Sequence, residues 1–164
     1  MEHVIREGIV LKDISEEELL KQSGVQDQME LLQMFVDCTE NMSFTPEVQE
    51  LIKTAQSMLS GQQSVKRIWG LYENGEYFGH IVLSHYDTAT PEVHIEMDEA
   101  HQHRGIGYRS LQAVIAEVFE KEAFEHLVYR CKEDNAASIA LVTKCGGTLL
   151  SCAGNVREYH ICRI

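Results

Sequence analysis

The chain has 164 residues, of which 44% are hydrophobic and 24% charged, as in a globular protein with an ordinary hydrophobic core. Its net charge of −12 argues against nucleic-acid binding and favours a cationic partner such as an amine, although the acidity is equally explained by solubility. No apolar run approaches the ~18 residues that cross a bilayer, and the N-terminus does not resemble a signal peptide. We predict one cytoplasmic domain, residues 1–164, with no membrane partner.

The cysteines are odd in number and scattered among apolar neighbours. Their spacing matches neither a disulfide framework nor a zinc site, so they are interpreted as reduced packing residues and no metal is expected. They are Cys38, Cys131, Cys145, Cys152 and Cys162.

The first part of the chain is predicted to form a strand followed by three helical segments. Residues 3–11 read as the strand, and an acidic helix is expected over residues 16–21. A second helix is predicted over residues 27–38. The third, residues 45–59, begins with a threonine cap and a proline at the first helical position. Positions 13–50 hold ten acidic residues and one basic residue, either a solvated flank or a rim that attracts a cationic acceptor.

The second part alternates strands with helices, which predicts a mixed α/β fold. An Asn74-Gly75 turn predicts a hairpin, because both residues accept the positive φ angles of a tight turn. The predicted elements are strands 65–72, 77–86 and 92–97, a helix ending near 121, a strand 127–131, a helix 135–144 and a last hairpin formed by 148–153 and 156–164.

A glycine-bearing turn, Gln102-His103-Arg104-Gly105-Ile106-Gly107, joins the strand ending at Met97 to a helix. The first N–H groups of a helix lack internal partners and lie at the positive end of its dipole, so they can bind an anion. Two glycines would let a phosphate approach the backbone, and Arg104 and Arg109 add positive charge. By spacing alone, glycines that merely ease a tight turn are an equal alternative.

The pattern Q-x-x-G-x-G after a strand resembles the acyl-CoA pyrophosphate signature of the GNAT N-acetyltransferases. Downstream, Asn135-Ala136-Ala137-Ser138 and Lys144-Cys145-Gly146 resemble the N-x-x-S … K-x-G segment in the branch that includes ribosomal-protein N-terminal acetyltransferases. The resemblance is specific over residues 91–150. It implies an α/β (α+β) fold with a mixed, mostly antiparallel central sheet. Two splayed parallel strands, 92–97 and 127–131, would hold acyl-CoA in their gap, and helices would flank the sheet.

The resemblance implies transfer of an acetyl group from acetyl-CoA to a primary amine, by direct attack in a ternary complex. The acceptor would be a small molecule or a protein N-terminus, and no metal would take part. The chain could act as a monomer or as a homodimer. The alternative from another class is a non-catalytic acyl-CoA-binding sensor or regulatory domain, because the motifs point to binding more directly than to turnover.

The resemblance also assigns residues to acetyl-CoA. A backbone N–H near Met97 would hold the thioester oxygen, and Asn135 would contact the pantetheine arm. Lys144 would meet the nucleotide end, although a solvated helix-terminal lysine is the alternative. The backbone of residues 104–107 would bind the pyrophosphate. The complete set is Met97, Gln102, His103, Arg104, Gly105, Ile106, Gly107, Asn135, Ser138 and Lys144.

Three titratable residues alternate on one face of the strand 92–97, and one of them would take the amine proton. Glu96 is the first choice, with His94 and Glu92 as alternates; a solvent-facing strand side is the competing interpretation. His80 and His85 are expected on opposite faces of the preceding strand, so at most one could line the cleft.

Many GNAT enzymes have a tyrosine on the last helix that protonates the leaving thiolate. This chain has Val142 after Leu141 at that position. Ser138, one turn earlier, is predicted to share that helix face and to stabilise the sulfur instead. Tyr108, Tyr129 or Tyr159 could also fill the role. His101 and His103, beside the glycine turn, are expected at the surface.

Overall fold

An eight-stranded sheet organises the larger of two units in this chain. The computed structural model describes residues 2–23, 45–60 and 66–163. One unit comprises residues 1–16 and 65–164, and the other comprises residues 17–64. The sheet lies in the first unit with strand order β1-β2-β3-β4-β5-β6-β8-β7.

The strands are β1 (Glu2–Arg6), β2 (Ile9–Ile14), β3 (Lys66–Glu73), β4 (Glu76–Ser84), β5 (Glu92–Met97), β6 (His126–Lys132), β7 (Gly147–Ala153) and β8 (Val156–Cys162). The described helices are α1 (Glu16–Ser23), α2 (Pro46–Ser60), α3 (Ile106–Lys121) and α4 (Ala136–Lys144), with a 3-10 turn at Glu99–His101. None of these helices is both long and apolar enough to cross a membrane. The predicted mixed α/β fold and most of its elements are confirmed.

The predicted single strand over residues 3–11 is wrong, because the chain turns back within it. β1 and β2 form an antiparallel hairpin, and Gly8 between them has a φ of 77°. Glycine adopts this left-handed conformation without steric cost. The Gly8 carbonyl accepts a hydrogen bond from the Asn74 N–H at 2.8 Å, which fixes the turn beside the β3–β4 hairpin. The predicted helix over 27–38, with Cys38, lies outside the described residues.

The four described cysteines are free thiols, but only two of them are packing residues. Cys131 and Cys145 pack against the core, and burial raises the pKa of the Cys145 thiol to about 11. Cys152 and Cys162 are exposed, so the packing interpretation is wrong for them. Both lie on the β7–β8 hairpin. In a strand, the residues next to a cysteine point to the opposite face, so apolar neighbours in sequence do not bury the cysteine itself.

The parallel strands β5 and β6 diverge from one end. All other neighbouring strands in the sheet are antiparallel and paired over several residues, whereas β5 and β6 share the single registered pair Glu92–Val128. The pair lies at the start of β5, next to a hydrogen bond from the Val128 N–H to the Pro91 carbonyl at 2.9 Å. Backbone groups farther along β5 therefore face an opening between the strands.

The core of this unit lies between α3 and the sheet. Leu111, Val114 and Val118 repeat at helical spacing on α3 and are completely shielded from solvent. They belong to one apolar cluster with Trp69 of β3 and Val93 of β5. Because this packing fixes α3 against the sheet, it also fixes where the helix N-terminus lies.

One carboxylate is buried at the edge of this core. Glu117 of α3 is 4% exposed, and its oxygens lie 2.9 Å from His3 Nε2, 2.9 Å from Arg67 Nη2 and 2.7 Å from Lys121 Nζ. Burial raises the pKa of Glu117, but the hydrogen bonds from these three side chains outweigh burial and bring the pKa down to about 2. The carboxylate therefore ties α3 to β1 and β3 in its ionised form.

Glu117→Gln is expected to lower the free energy of unfolding by about 2–4 kcal/mol at neutral pH, because it leaves partly buried cations without their anion. Because the pKa of Glu117 is lower in the folded protein, its contribution to stability depends on pH. The contribution is present above pH 4.5 and is lost as the pH falls towards 2. Urea unfolding at pH 7, 5 and 3 measures both effects. The matched control is Glu120→Gln, an exposed carboxylate on the same helix, expected to change stability by less than ~0.5 kcal/mol. Equal losses in the two variants would contradict the assignment.

Candidate active site

A cavity of about 400 Å³ lies where β5 and β6 have separated. Its walls come from the end of β5, the glycine turn, the first turn of α3, the middle of β6 and one side of α4. The lining residues are Ile95, Glu96, Met97, Gln102, His103, Gly105, Gly107, Tyr108, Tyr129, Asn135, Ala137, Ser138, Ala140, Leu141 and Lys144. Segments far apart in sequence thus meet around one space.

Most residues that the sequence singled out line this cavity. They are Glu96, Met97, Gln102, His103, Gly105, Gly107, Asn135, Ser138 and Lys144. Three others do not line it: His94 is exposed on β5, Arg104 is exposed and ion-paired, and Ile106 is 2% exposed in the core. The expected role of Ile106 is to donate its backbone N–H to the pyrophosphate, and burial of its side chain does not affect that group.

The glycine turn holds the N-terminus of α3 at the cavity. Gly105 is the N-cap residue and has a φ of 74°, and a Cβ there would meet no atom within 4 Å. Gly107 differs, since its Cβ would lie 3.0 Å from Met97 Cε. Glycine at 105 therefore serves the backbone conformation and leaves an open approach. A side chain at 107 would have to displace the end of the Met97 side chain, so close packing against β5 is one reason for glycine there.

Glu73, at the end of β3, anchors the turn from behind. Its carboxylate oxygens lie 3.0 Å from Arg104 Nη2 and 3.0 Å from His101 Nε2, and these hydrogen bonds lower the pKa of Glu73. The His101 ring also stacks on Phe78 at 3.9 Å, and its side chain is 14% exposed. The expectation of a surface position is therefore wrong for His101, whereas His103 is exposed. Arg104 contributes to the turn through this ion pair.

Gln102, the first residue of the motif, closes the turn onto β5. Its side-chain amide donates a hydrogen bond to the Met97 carbonyl at 3.1 Å. That contact uses one of the two N–H donors of the glutamine side chain and fixes the orientation of the amide. The Met97 end of β5 is held in a defined orientation as a result.

Two hydroxyls meet inside the cavity. The Tyr129 hydroxyl lies 2.6 Å from Ser138 Oγ, and Tyr129 is 3% exposed. Burial raises the pKa of Tyr129, so its hydroxyl keeps its proton at neutral pH. The Asn135 side-chain oxygen accepts a hydrogen bond from the Ser138 N–H at 3.0 Å and caps α4. This cap fixes the helix turn that presents Ser138.

Ser138 and Val142 do not face the same space, contrary to the sequence expectation. Val142 is completely buried in the core, whereas Ser138 lines the cavity. A Cβ on Gly147 would lie 2.6 Å from Val142 Cγ2, which shows how closely this side of α4 is packed. Tyr159 is also in the core, at 4% exposure, and is not among the lining residues. Tyr108 and Tyr129 are the lining tyrosines.

The cavity wall contains a cation–aromatic contact that the sequence did not indicate. Lys144 Nζ lies 4.3 Å from the ring centroid of Tyr108. Lys144 ends α4, and Tyr108 is in the first turn of α3. The contact joins the two helices across the opening and places a positive charge near the α3 N-terminus.

The candidate bases on β5 have different surroundings. The Glu96 side chain is 70% exposed and also lines the cavity. His94 is exposed outside the cavity. The Glu92 carboxylate contacts the Arg130 guanidinium, which also contacts Glu158. Of the three, Glu96 has both an accessible carboxylate and a position at the cavity. No group of three His, Cys, Asp or Glu side chains in the described ranges could hold a metal ion.

This fold is found in acetyltransferases of known structure. One is RimL, a ribosomal L7/L12 alpha-N-protein acetyltransferase in complex with coenzyme A, which is 19% identical to this chain. The two structures superpose with a TM-score of 0.63, and the alignment covers 99% of this chain and 98% of RimL. A ribosomal-protein-S5-alanine acetyltransferase from Vibrio fischeri is 12% identical, with a TM-score of 0.64 covering 100% and 96%. A dodecameric spermidine N-acetyltransferase from Vibrio cholerae is 13% identical, with a TM-score of 0.58 covering 96% and 95%.

The family is established by sequence. The model of the acetyltransferase (GNAT) domain matches residues 19–148, which is most of the chain. No curated protein sequence matches. The chain belongs to the GNAT acetyltransferase family and is an N-acetyltransferase.

Proposed function

We propose that this protein transfers the acetyl group of acetyl-CoA directly to a primary amine, with both substrates bound at once. The observation that carries the proposal is the cavity between the diverging strands. It begins at the N-terminus of α3 and reaches the Tyr129–Ser138 pair and Glu96. The proposed anion site and the proposed proton-transfer groups are therefore among the residues that line one space.

Acetyl-CoA would be held mainly by the backbone. Its pyrophosphate would lie against the N–H groups of residues 104–107, at the positive end of α3. Lys144 and Tyr108 are placed to meet the nucleotide end. The pantetheine arm would follow β5, where backbone groups left unpaired by the separation from β6 can bond its amides as an added strand would. Asn135 lies along that path.

The chemistry needs three contributions from the protein. The amine must lose a proton before it attacks the thioester carbon, and Glu96 is the residue positioned to take it. The carbonyl oxygen gains charge in the tetrahedral intermediate, and an N–H near Met97 would stabilise it. As the C–S bond breaks, the thiolate would accept a hydrogen bond from Ser138, whose hydroxyl is held by Tyr129.

The acceptor is proposed to be a primary amine on a small molecule or a protein N-terminus. Acidic residues outnumber basic residues and give a net charge of −12, so a positively charged acceptor would be attracted to the protein surface. The comparison proteins include enzymes named for a ribosomal-protein substrate and for spermidine, which are the two kinds of acceptor considered.

The test is thiol release from acetyl-CoA with a panel of amines, comprising a polyamine, an amino sugar and a peptide with a free N-terminus. We expect release above the rate of acetyl-CoA hydrolysis with at least one amine, together with the acetylated product by mass spectrometry. Calorimetry with coenzyme A is run in parallel. Tight coenzyme A binding without transfer to any amine would instead support an acyl-CoA sensor, and absence of both would contradict the site.

Ser138→Ala is expected to lower kcat about tenfold to a hundredfold, with a smaller change in KM for acetyl-CoA, because the lost hydrogen bond forms chiefly to the developing thiolate. Tyr129→Phe should lower kcat in the same direction. If the two hydroxyls act together, the double variant should lose little more than Ser138→Ala alone.

The control for this prediction is Thr143→Ala, which removes an exposed hydroxyl from the same helix and should leave kcat unchanged. A raised KM with normal kcat in Ser138→Ala would mean that Ser138 only binds coenzyme A. A larger kcat loss in Tyr108→Phe than in either cavity hydroxyl variant would assign the role to Tyr108.

A further inference from the structure

A second cluster of side chains lies behind Glu96, on the neighbouring strand β4. His80 is the cross-strand partner of Glu96, and its Nε2 lies 3.9 Å from Glu96 Oε2. On the other side of the ring, the Tyr77 hydroxyl lies 2.7 Å from His80 Nδ1. Tyr77, His80 and Glu96 therefore form a continuous line that ends at the cavity.

The cluster is well enclosed except at its cavity end. The His80 side chain is 13% exposed, whereas the Glu96 side chain is 70% exposed. The Tyr72 ring covers Gly70, the cross-strand partner of His80 on β3, and packs edge-on against Tyr77 with 5.8 Å between ring centroids. A side chain on Gly70 would overlap the Tyr72 ring, since its Cβ would lie 2.7 Å from Tyr72 Cε2. The strand pairing and the aromatic rings thus fix the orientation of His80.

The surrounding groups determine where the protons are. Burial lowers the pKa of His80; Glu96 opposes this effect and His94 adds to it, so the imidazole is neutral at pH 7. Burial, together with Glu96 and Tyr72, raises the pKa of Tyr77 to about 12, so its hydroxyl is protonated. The 2.7 Å contact between the Tyr77 hydroxyl and Nδ1 fits either tautomer; when the hydroxyl donates, the imidazole proton is on Nε2 and faces the carboxylate. The opposite tautomer would set a lone pair against an anion.

We infer that Tyr77 and His80 are positioning residues that hold the Glu96 side chain at the cavity mouth, where it can take the proton of the acceptor amine. This inference rests on the proposed acetyl transfer. The protonated amine gives one proton to Glu96, its lone pair then forms the N–C bond, and the C–S bond breaks. The second nitrogen proton passes to the leaving sulfur, so that coenzyme A leaves as a thiol, and Glu96 returns its proton to solvent. His80 and Tyr77 exchange no net proton. The His80 Nε2 lies 3.9 Å from the carboxylate, which is beyond direct hydrogen-bond length, so the Nε2–H would orient Glu96 through a bridging water or after a small rotation of the exposed Glu96 side chain.

Kinetic pH profiles separate this role from a merely structural one. His80→Ala is expected to lower kcat with the best amine about tenfold at pH 7, and the loss should shrink as the pH approaches that at which the amine is already neutral. His80→Gln should recover part of the activity, because its amide can still donate to Glu96 but cannot titrate. The KM for acetyl-CoA should not change. His85→Asn is the control, since His85 is exposed and its φ of 54° suits asparagine.

The ¹⁵N NMR spectrum of the imidazoles tests the arrangement without any substrate. His80 should be a neutral Nε2–H tautomer at pH 7, and Tyr77→Phe, which preserves ring shape, should shift its tautomer balance or titration midpoint. An Nδ1–H or charged His80 would overturn the inference, as would an equal loss at every pH in His80→Ala and His80→Gln. If no amine were acetylated, the proposed function would fail while the spectrum still decided the arrangement.

Discussion

Gly105→Asp is expected to weaken coenzyme A binding a few hundredfold. Gly105 caps α3 at the cavity, and its missing side chain faces open space, so a carboxylate there would lie close to the proposed pyrophosphate position. At an effective dielectric constant of ~20, two like charges ~5 Å apart repel by about 3 kcal/mol. Titration calorimetry with coenzyme A measures the change.

Gly105→Asn is the matched control, because asparagine has the shape of aspartate and accepts a positive φ but has no charge. Any cost of adding a side chain at this position is common to both variants. A carboxylate at a helix N-terminus is itself stabilising, so unfolding does not explain a selective loss in the aspartate variant. Equal coenzyme A affinity in two folded variants would place the pyrophosphate elsewhere. Gly107 is less suitable for the test, because a side chain there would press on Met97.

Glu96→Gln is expected to lower kcat/KM for the amine at least about a hundredfold at pH 7, the usual scale for removing a general base. The wild-type value should rise with pH, and the variant should recover as the amine deprotonates in solution. Steady-state kinetics from pH 6 to 10 measure both effects. Coenzyme A affinity should stay close to that of the wild type, because the proposed pyrophosphate site is formed by the backbone of residues 104–107 and not by the Glu96 side chain.

Glu99→Gln is the control for charge, since Glu99 is an exposed carboxylate in the adjacent 3-10 turn and does not line the cavity. It should leave the pH profile unchanged. His94→Gln and Glu92→Gln test the alternates in the same assay. A profile that changes in one of them and not in Glu96→Gln would move the base to that residue, and three unchanged profiles would leave the proton to water.

The local helices and turns could be predicted from the sequence because each depends on residues that are close together along the chain. Proline at position 46, the Asn74-Gly75 turn and the apolar spacing of α3 act through bonds and contacts a few residues apart. The glycine turn was also recognisable, since the strand, the two glycines and the helix that follows are adjacent in sequence. The β1–β2 hairpin was missed because Gly8 stands alone among apolar residues that fit a single strand equally well.

The sequence by itself determined the family, the strand–turn–helix motif and most of the residues that line the cavity. Only the tertiary structure decided which side chains meet there. It brought Tyr129 to Ser138, set Val142 in the core and paired Arg104 with Glu73. It also aligned His80 with Glu96 across two strands. These contacts depend on strand register and helix docking, which are set by packing over the whole sheet and leave no signal in the spacing of the residues that meet.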